Sequence, residues 1–175
     1  MKRTLSSTKT LFAAIASLTL FLSFSPAFGQ TKPDGKNDLS VTVKVEKEVR
    51  TLKDGKTIIE LKPADKSRKS DILVYTVVYK NKHDFDVKNV SIFDPIPAGA
   101  EYIMDSAAGK GTSITFSIDG VKSFVSPPVM YKKPAGNGTL TVPAPADMYT
   151  HIKWLIKGSV KPGGSGKVSF KVKVK

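Results

Sequence analysis

The chain has 175 residues, 28 of them Lys or Arg against 15 Asp or Glu, for a formal net charge of +13, and it has no Cys. The missing thiol excludes a disulfide framework and a lipid attached through an amino-terminal Cys. The positive excess favours contact with anionic polymers or phospholipid surfaces, but the lysines are scattered singly instead of clustered with aromatics, which argues against specific nucleic-acid recognition.

Met1 to Thr10 carries Lys2, Arg3 and Lys9 with no acid, and Leu11 to Phe24 (LFAAIASLTLFLSF) is apolar before Ala27-Phe28-Gly29. That order is a secretory signal peptide over residues 1–29, cut between Gly29 and Gln30, where small residues occupy the −3 and −1 positions. The 14-residue apolar run falls short of the roughly 20 residues needed to span a bilayer. Removing 29 of the 175 residues leaves 146, the size of one domain with its own core. The expected product is exported to a periplasm, cell surface or medium, with no transmembrane segment in the mature chain and no apolar tail after VSFKVKVK.

Residues 30–38 (QTKPDGKND) read as a flexible leader, and a β domain is expected over residues 39–175. Leu39 to Val49 alternates apolar and polar residues, the mark of a half-buried strand. Asp54-Gly55 signals a turn into a short strand at Thr57 to Leu61. The Val, Ile and Tyr of Asp71 to Lys80 (DILVYTVVYK) suit a central strand buried on both sides. Further strands are expected at Val87 to Phe93, Ala100 to Met104, Ser113 to Ile118, Lys122 to Val125, His151 to Ile156 and Lys167 to Val174. Ser126 to Ala146, with five prolines, reads as a long excursion off the sheet with a small hairpin at Asn137-Gly138. Outside the signal segment no window has helical apolar spacing, so the fold class is all-β, a single antiparallel immunoglobulin-like β-sandwich.

In SIFDPIPAGAEYI, from Ser91 to Ile103, Pro95 and Pro97 cannot donate to a ladder, so the strand must leave its sheet there. Asp94 precedes a proline and is held extended, with its carboxylate placed to accept amide hydrogens of the turn. Gly99 permits a positive φ before β structure resumes. No partner acid or base for catalysis is identifiable near Asp94.

YTVVYKN, NVSIFDPIPAGAEYI and KWLIKGSVKPGGSGKVSFKVKVK resemble the repeat domain of bacterial cell-surface proteins catalogued as domain of unknown function number eleven. The matching positions are Tyr75, Thr76, Asn81, Asp94, Ile96, Pro97, Gly99, Trp154, Pro162 and Gly163, and the resemblance covers about Ser70 to Lys175. It implies an immunoglobulin-like sandwich used as a spacer or interaction module, with no catalytic residues. Two features depart from the family: Asn81-Lys82-His83-Asp84 lacks the usual nearby Gly, and the chain holds one copy where tandem arrays are common. A standalone or subunit role is therefore expected instead of a stalk.

Other chemistry is sparse, and no cofactor is expected. His83, Asp84 and Asp86 could hold a divalent cation with a distant ligand, although a polar hairpin tip is the ordinary reading. His151 reads as a sheet-surface residue and Trp154 as core. An isopeptide cross-link would need a buried lysine, with Lys44 or Lys80 in principle available, but the alternation puts most lysines on the polar face. Two functions remain. One is a non-enzymatic structural or protein-interaction module of the cell envelope, docking an envelope or surface protein at an exposed sheet edge or the Pro-rich loop. The other is a binding module for an anionic polymer or glycan, using the lysines and exposed aromatics such as Tyr131 and Tyr149.

Overall fold

The computed structural model describes residues 39–175, so the signal peptide, its cleavage at Gly29 and Gln30, and the leader over residues 30–38 lie outside the described residues. The regular structure there is β throughout, apart from one 3-10 turn at Ala146–Met148. In chain order the strands are β1 (Leu39–Lys53), β2 (Lys56–Pro63), β3 (Ile72–Asn81), β4 (Val87–Lys88), β5 (Ser91–Pro95), β6 (Ala100–Tyr102) and β7 (Ala108–Gly109). They continue with β8 (Thr112–Ser117), β9 (Met130–Ala135), β10 (Gly138–Pro143), β11 (His151–Ile156), β12 (Ser159–Val160) and β13 (Ser165–Val174).

All pairings are antiparallel. The larger sheet runs β2-β1-β3-β13-β6, with β7 also on β13; the smaller runs β5-β11-β8. Two ribbons, β9 with β10 and β4 with β12, complete the pairing. The hairpin of β1 and β2 turns at Asp54 and Gly55, both with positive φ (51° and 72°), the requirement of a type I′ turn that matches the strand twist. It outruns its neighbour: β3 pairs β1 only from Leu39 to Lys47, while β2 pairs it from Glu46 to Lys53.

The two sheets share one core. Trp154 of β11 meets Phe170 of β13 at a centroid distance of 6.0 Å, and Tyr102 of β6 meets Phe116 of β8 at 5.4 Å. Trp154, Ile152, Phe170 and Val172 are wholly inaccessible, and each such side chain contributes about 1.5–3 kcal/mol by leaving water. The expectation for Trp154 holds. That for β3 needs correction. It lies between β1 and β13, and the smaller sheet covers the face bearing Leu73, Val77 and Tyr79; on the other face Val74 is buried outside that core, but Val78 and Lys80 are exposed. Density of Val and Tyr marked its central place in the sheet order, and the one-sided covering follows from having only one sheet opposite.

Three further expectations change. Val87 to Phe93 is two strands, broken where Asn89 adopts φ 55°. Lys122 to Val125 is not a strand; only Val125 bridges to Phe116. Asp119 gathers this segment into a turn, accepting hydrogen bonds from Ser117 Oγ (2.7 Å) and the Ser123 amide (3.0 Å). The Ser123 hydroxyl, donating to Oδ2 (2.5 Å), does most to hold the carboxyl at about 2, followed by the Ser117 hydroxyl and the Ser123 amide. The proline-rich stretch contains a full ribbon, turning at Gly136-Asn137 one residue before the expected position. Counting from the closing pair Ala135↔Gly138, Pro134 (opposite Thr139) and Pro143 (opposite Met130) fall on non-bonded pairs, where an absent amide hydrogen costs the ribbon nothing.

Gly166 of β13 sits where a side chain would strike the buried Tyr79 ring. Gly166→Ala is expected to cost about 1–2 kcal/mol as overpacking, read as a lowered urea midpoint. Tyr79→Phe in the same chain should recover part of the loss, because the phenolic oxygen is the nearest obstacle.

Candidate functional site

The polar residue the fold buries most completely, together with Ser117, is Asn81, at the end of β3. Its Nδ2 donates to the carbonyls of Phe85 (2.8 Å) and Val160 (2.9 Å), while its Oδ1 accepts the His83 amide hydrogen (2.9 Å). Its own amide donates to the Gly164 carbonyl (2.8 Å), and its carbonyl accepts the Gly163 amide (3.1 Å). One side chain thus satisfies the 82–85 tip and β12, and its backbone holds the turn through Pro162, Gly163 and Gly164. The amide side chain suits the place, having both donors and an acceptor in one plane. Sequence reading marked Asn81, Pro162 and Gly163 separately; the fold brings them together. Tyr75 and Thr76 lie further along the same strand, where Tyr75 stacks on Phe170 at 5.0 Å.

Asp94 lies elsewhere, on the core side of β5 opposite Ile152. The turn amides it was expected to satisfy are taken by carbonyls: Ile96 donates to Thr150, and Ala100 to Pro97. Its Oδ2 is buried with no hydrogen bond. Burial raises its carboxyl from 3.8 to about 7. The phenol of Tyr75 is raised too, by its own burial first and by the Asp94 charge second. Asp94 is therefore a desolvated acid, not a cap. Gly99 takes the expected positive φ (77°), and Pro95 ends β5.

At the 82–86 tip, His83 stacks on Phe85 at 4.6 Å. Asp86 is turned across its own ribbon to the β12 side, accepting from Lys161 Nζ (2.6 Å) and Ser159 Oγ (3.0 Å), and Lys161 first of all holds its carboxyl low. Among the described residues no group of three or more His, Cys, Asp or Glu gathers as a metal set would. His151 is half-buried and its imidazole is held below the usual range by burial. Lys44 and Lys80 are exposed on the outer face, Lys44 beside Glu46 at 2.7 Å; neither has the burial an isopeptide donor needs.

The aromatics need one correction. Tyr149 is only 4% exposed and packs on Tyr102 at 5.3 Å, so it is core and not a ligand platform; Tyr131 is half-buried. The alternation rule could not find this, because Tyr149 follows a 3-10 turn and not a strand. Sequence reading also missed the outer face of the smaller sheet, where Lys153 lies over the rings of Phe93 (5.2 Å) and Phe124 (5.6 Å). The two rings are 31 positions apart in sequence, with β6, β7 and β8 between them and no local signal to join them.

Among the described residues the most exposed regular structure is β2, all eight of whose residues are exposed and which has a described neighbour on one side only. Among the described residues no helix is long and apolar enough to cross a membrane. Comparison with family models, with curated proteins and with solved structures finds no match.

Proposed function

We propose that this chain is an exported, non-enzymatic interaction module of a bacterial cell envelope, built as an immunoglobulin-like β-sandwich related to the cell-surface repeat domain that its sequence resembles. The observation that carries the reading is the β1–β2 hairpin, which outruns the core and leaves an exposed eight-residue edge. Proteins normally shorten, cover or charge such an edge. Antiparallel sheets sharing the Trp154 and Phe170 core support the sandwich, and the convergence of Asn81 on Gly163 and Gly164 gives the resemblance's scattered motif residues a common structural purpose.

A second reading, binding of an anionic polymer, is favoured by Lys80, Lys167 and Lys173, exposed on the outer face of the larger sheet. Glu46, Glu48 and Glu101 interleave with the lysines of that face, and Glu48 pairs Lys171 at 2.6 Å. The field there is weaker than the net charge suggests.

Cross-linking in intact cells, followed by sizing at low and high salt, tests the choice. The module reading expects a defined high-mass complex that survives salt. A free monomer, or a smear that salt dissolves, would remove it, and the smear would favour the polymer.

A further inference from the structure

Which groups a partner meets on β2 follows from its register. The two-residue turn makes Lys53↔Lys56 a mutually hydrogen-bonded pair, and bonded and non-bonded pairs then alternate. Thr51↔Ile58, Val49↔Glu60 and Lys47↔Lys62 spend their amides and carbonyls inside the hairpin. Leu52↔Thr57, Arg50↔Ile59, Glu48↔Leu61 and Glu46↔Pro63 turn theirs away from it. On β2 the outward groups therefore belong to Thr57, Ile59 and Leu61, with the Pro63 carbonyl last. Native Pro63 agrees with this parity, since only an outward position has an amide hydrogen to spare.

The side chains here are also those of a strand awaiting a neighbour. Ile59 (53% exposed) and Leu61 (47%) share one face with Leu52 (73%), and Ile58 lies on the other. A two-stranded ribbon in water gains little from such residues. Lys56, Lys62 and Pro63 guard the strand ends, but the five residues from Thr57 to Leu61 include one charge, Glu60.

Resting on the interaction-module reading, we propose that β2 accepts an extended strand of an acidic partner protein, hydrogen-bonded to Thr57, Ile59 and Leu61. The added strand carries apolar residues opposite Ile59 and Leu61 and carboxylates within reach of Lys56 and Lys62. Charge selects this occupant. From Arg50 to Lys69 there are seven basic residues and three acidic ones. A second copy of the chain would bring the same excess, and in a two-fold antiparallel pair centred on Ile59 each Lys56 would face the other copy's Lys62, a destabilising juxtaposition. An acidic alternating segment meets the apolar row and the lysines together.

The test titrates the full chain with a labelled nine-residue peptide alternating Val and Glu, and with a control having Lys for Glu. Saturable binding of the Glu peptide is expected, with the amide resonances of Thr57, Ile59 and Leu61 moving, and binding of the Lys peptide at least about tenfold weaker. Ile59→Pro removes an outward amide and should weaken the Glu peptide roughly tenfold while leaving the unfolding midpoint near that of the parent. Ile58→Pro breaks a bond inside the hairpin and should lower the midpoint, which checks the register. No binding, equal binding of both peptides, or unchanged binding by Ile59→Pro overturns the proposal. Self-association of the chain that Ile59→Pro abolishes also overturns it, giving the edge to a second copy. If β2 is inert while cells still yield a salt-resistant complex, the edge proposal fails alone; if neither appears, the module reading fails with it.

Discussion

Asn81→Ala is expected to lower the stability of the chain by about 3–5 kcal/mol. The truncation strands three groups at once: the Phe85 and Val160 carbonyls lose their donor and the His83 amide loses its acceptor. Each buried polar group left unpaired costs about 1–3 kcal/mol, and Asn81 itself is wholly buried, so water has no ready access to replace the side chain. Asn81→Asp keeps the acceptor but has no donor for the two carbonyls and adds a charge that burial disfavours, so it should be no better than Ala. Urea unfolding gives the cost. Hydrogen exchange gives its location, with the 82–85 tip and the 161–164 turn opening before the β3–β13 ladder. A midpoint within about 0.5 kcal/mol of the parent would mean that Asn81 is not what ties these segments together.

The same residue shows how far the sequence could be read. Its presence before a polar tip and the Pro162-Gly163 pair were visible, but their meeting is a long-range event, the Gly163 amide reaching the Asn81 carbonyl across 82 positions, and leaves no periodic trace. The hairpin of β1 and β2 was legible because Asp54-Gly55 and the flanking alternation are local signals of one structure. The β9–β10 ribbon was only half legible: proline argues against a strand until pairing parity is known, and parity depends on which residues close the turn. Tyr149 was misplaced because the segment after Pro145 has neither a period of two nor a helix, so nothing in it says which side faces the core. For the proposed edge, sequence marked β2 as a strand and named a sheet edge as a docking place. That β2 is that edge is a fact of sheet order, which composition does not encode.

Asp94→Asn is expected to stabilise the chain at pH 8 by about 2–3 kcal/mol and to flatten its pH profile. The carboxyl titrates at about 7 in the folded chain against an ordinary value of 3.8, because burial disfavours its charged form. The folded state therefore holds a proton that the unfolded state releases, and between about pH 4 and pH 7 stability falls as pH rises. Below that window Asp94 is neutral in both states and costs nothing; above it the full penalty is present. Three units at 1.36 kcal/mol each set an upper bound near 4 kcal/mol, which the partial exposure of the side chain reduces. Asparagine has the same shape without the charge, so its gain over the parent should be absent at pH 4, grow through the window and level off above pH 7. Urea midpoints at pH 4, 5.5, 7 and 8 measure this directly. A variant less stable than the parent at pH 8 would sink the account, for it would mean that the anion is held by a favourable partner and not merely tolerated. The expected rise means instead that the Asp94-Pro95 turn is set by its prolines and by the Ile96 and Ala100 amide bonds, and that the carboxylate contributes nothing to it at neutral pH.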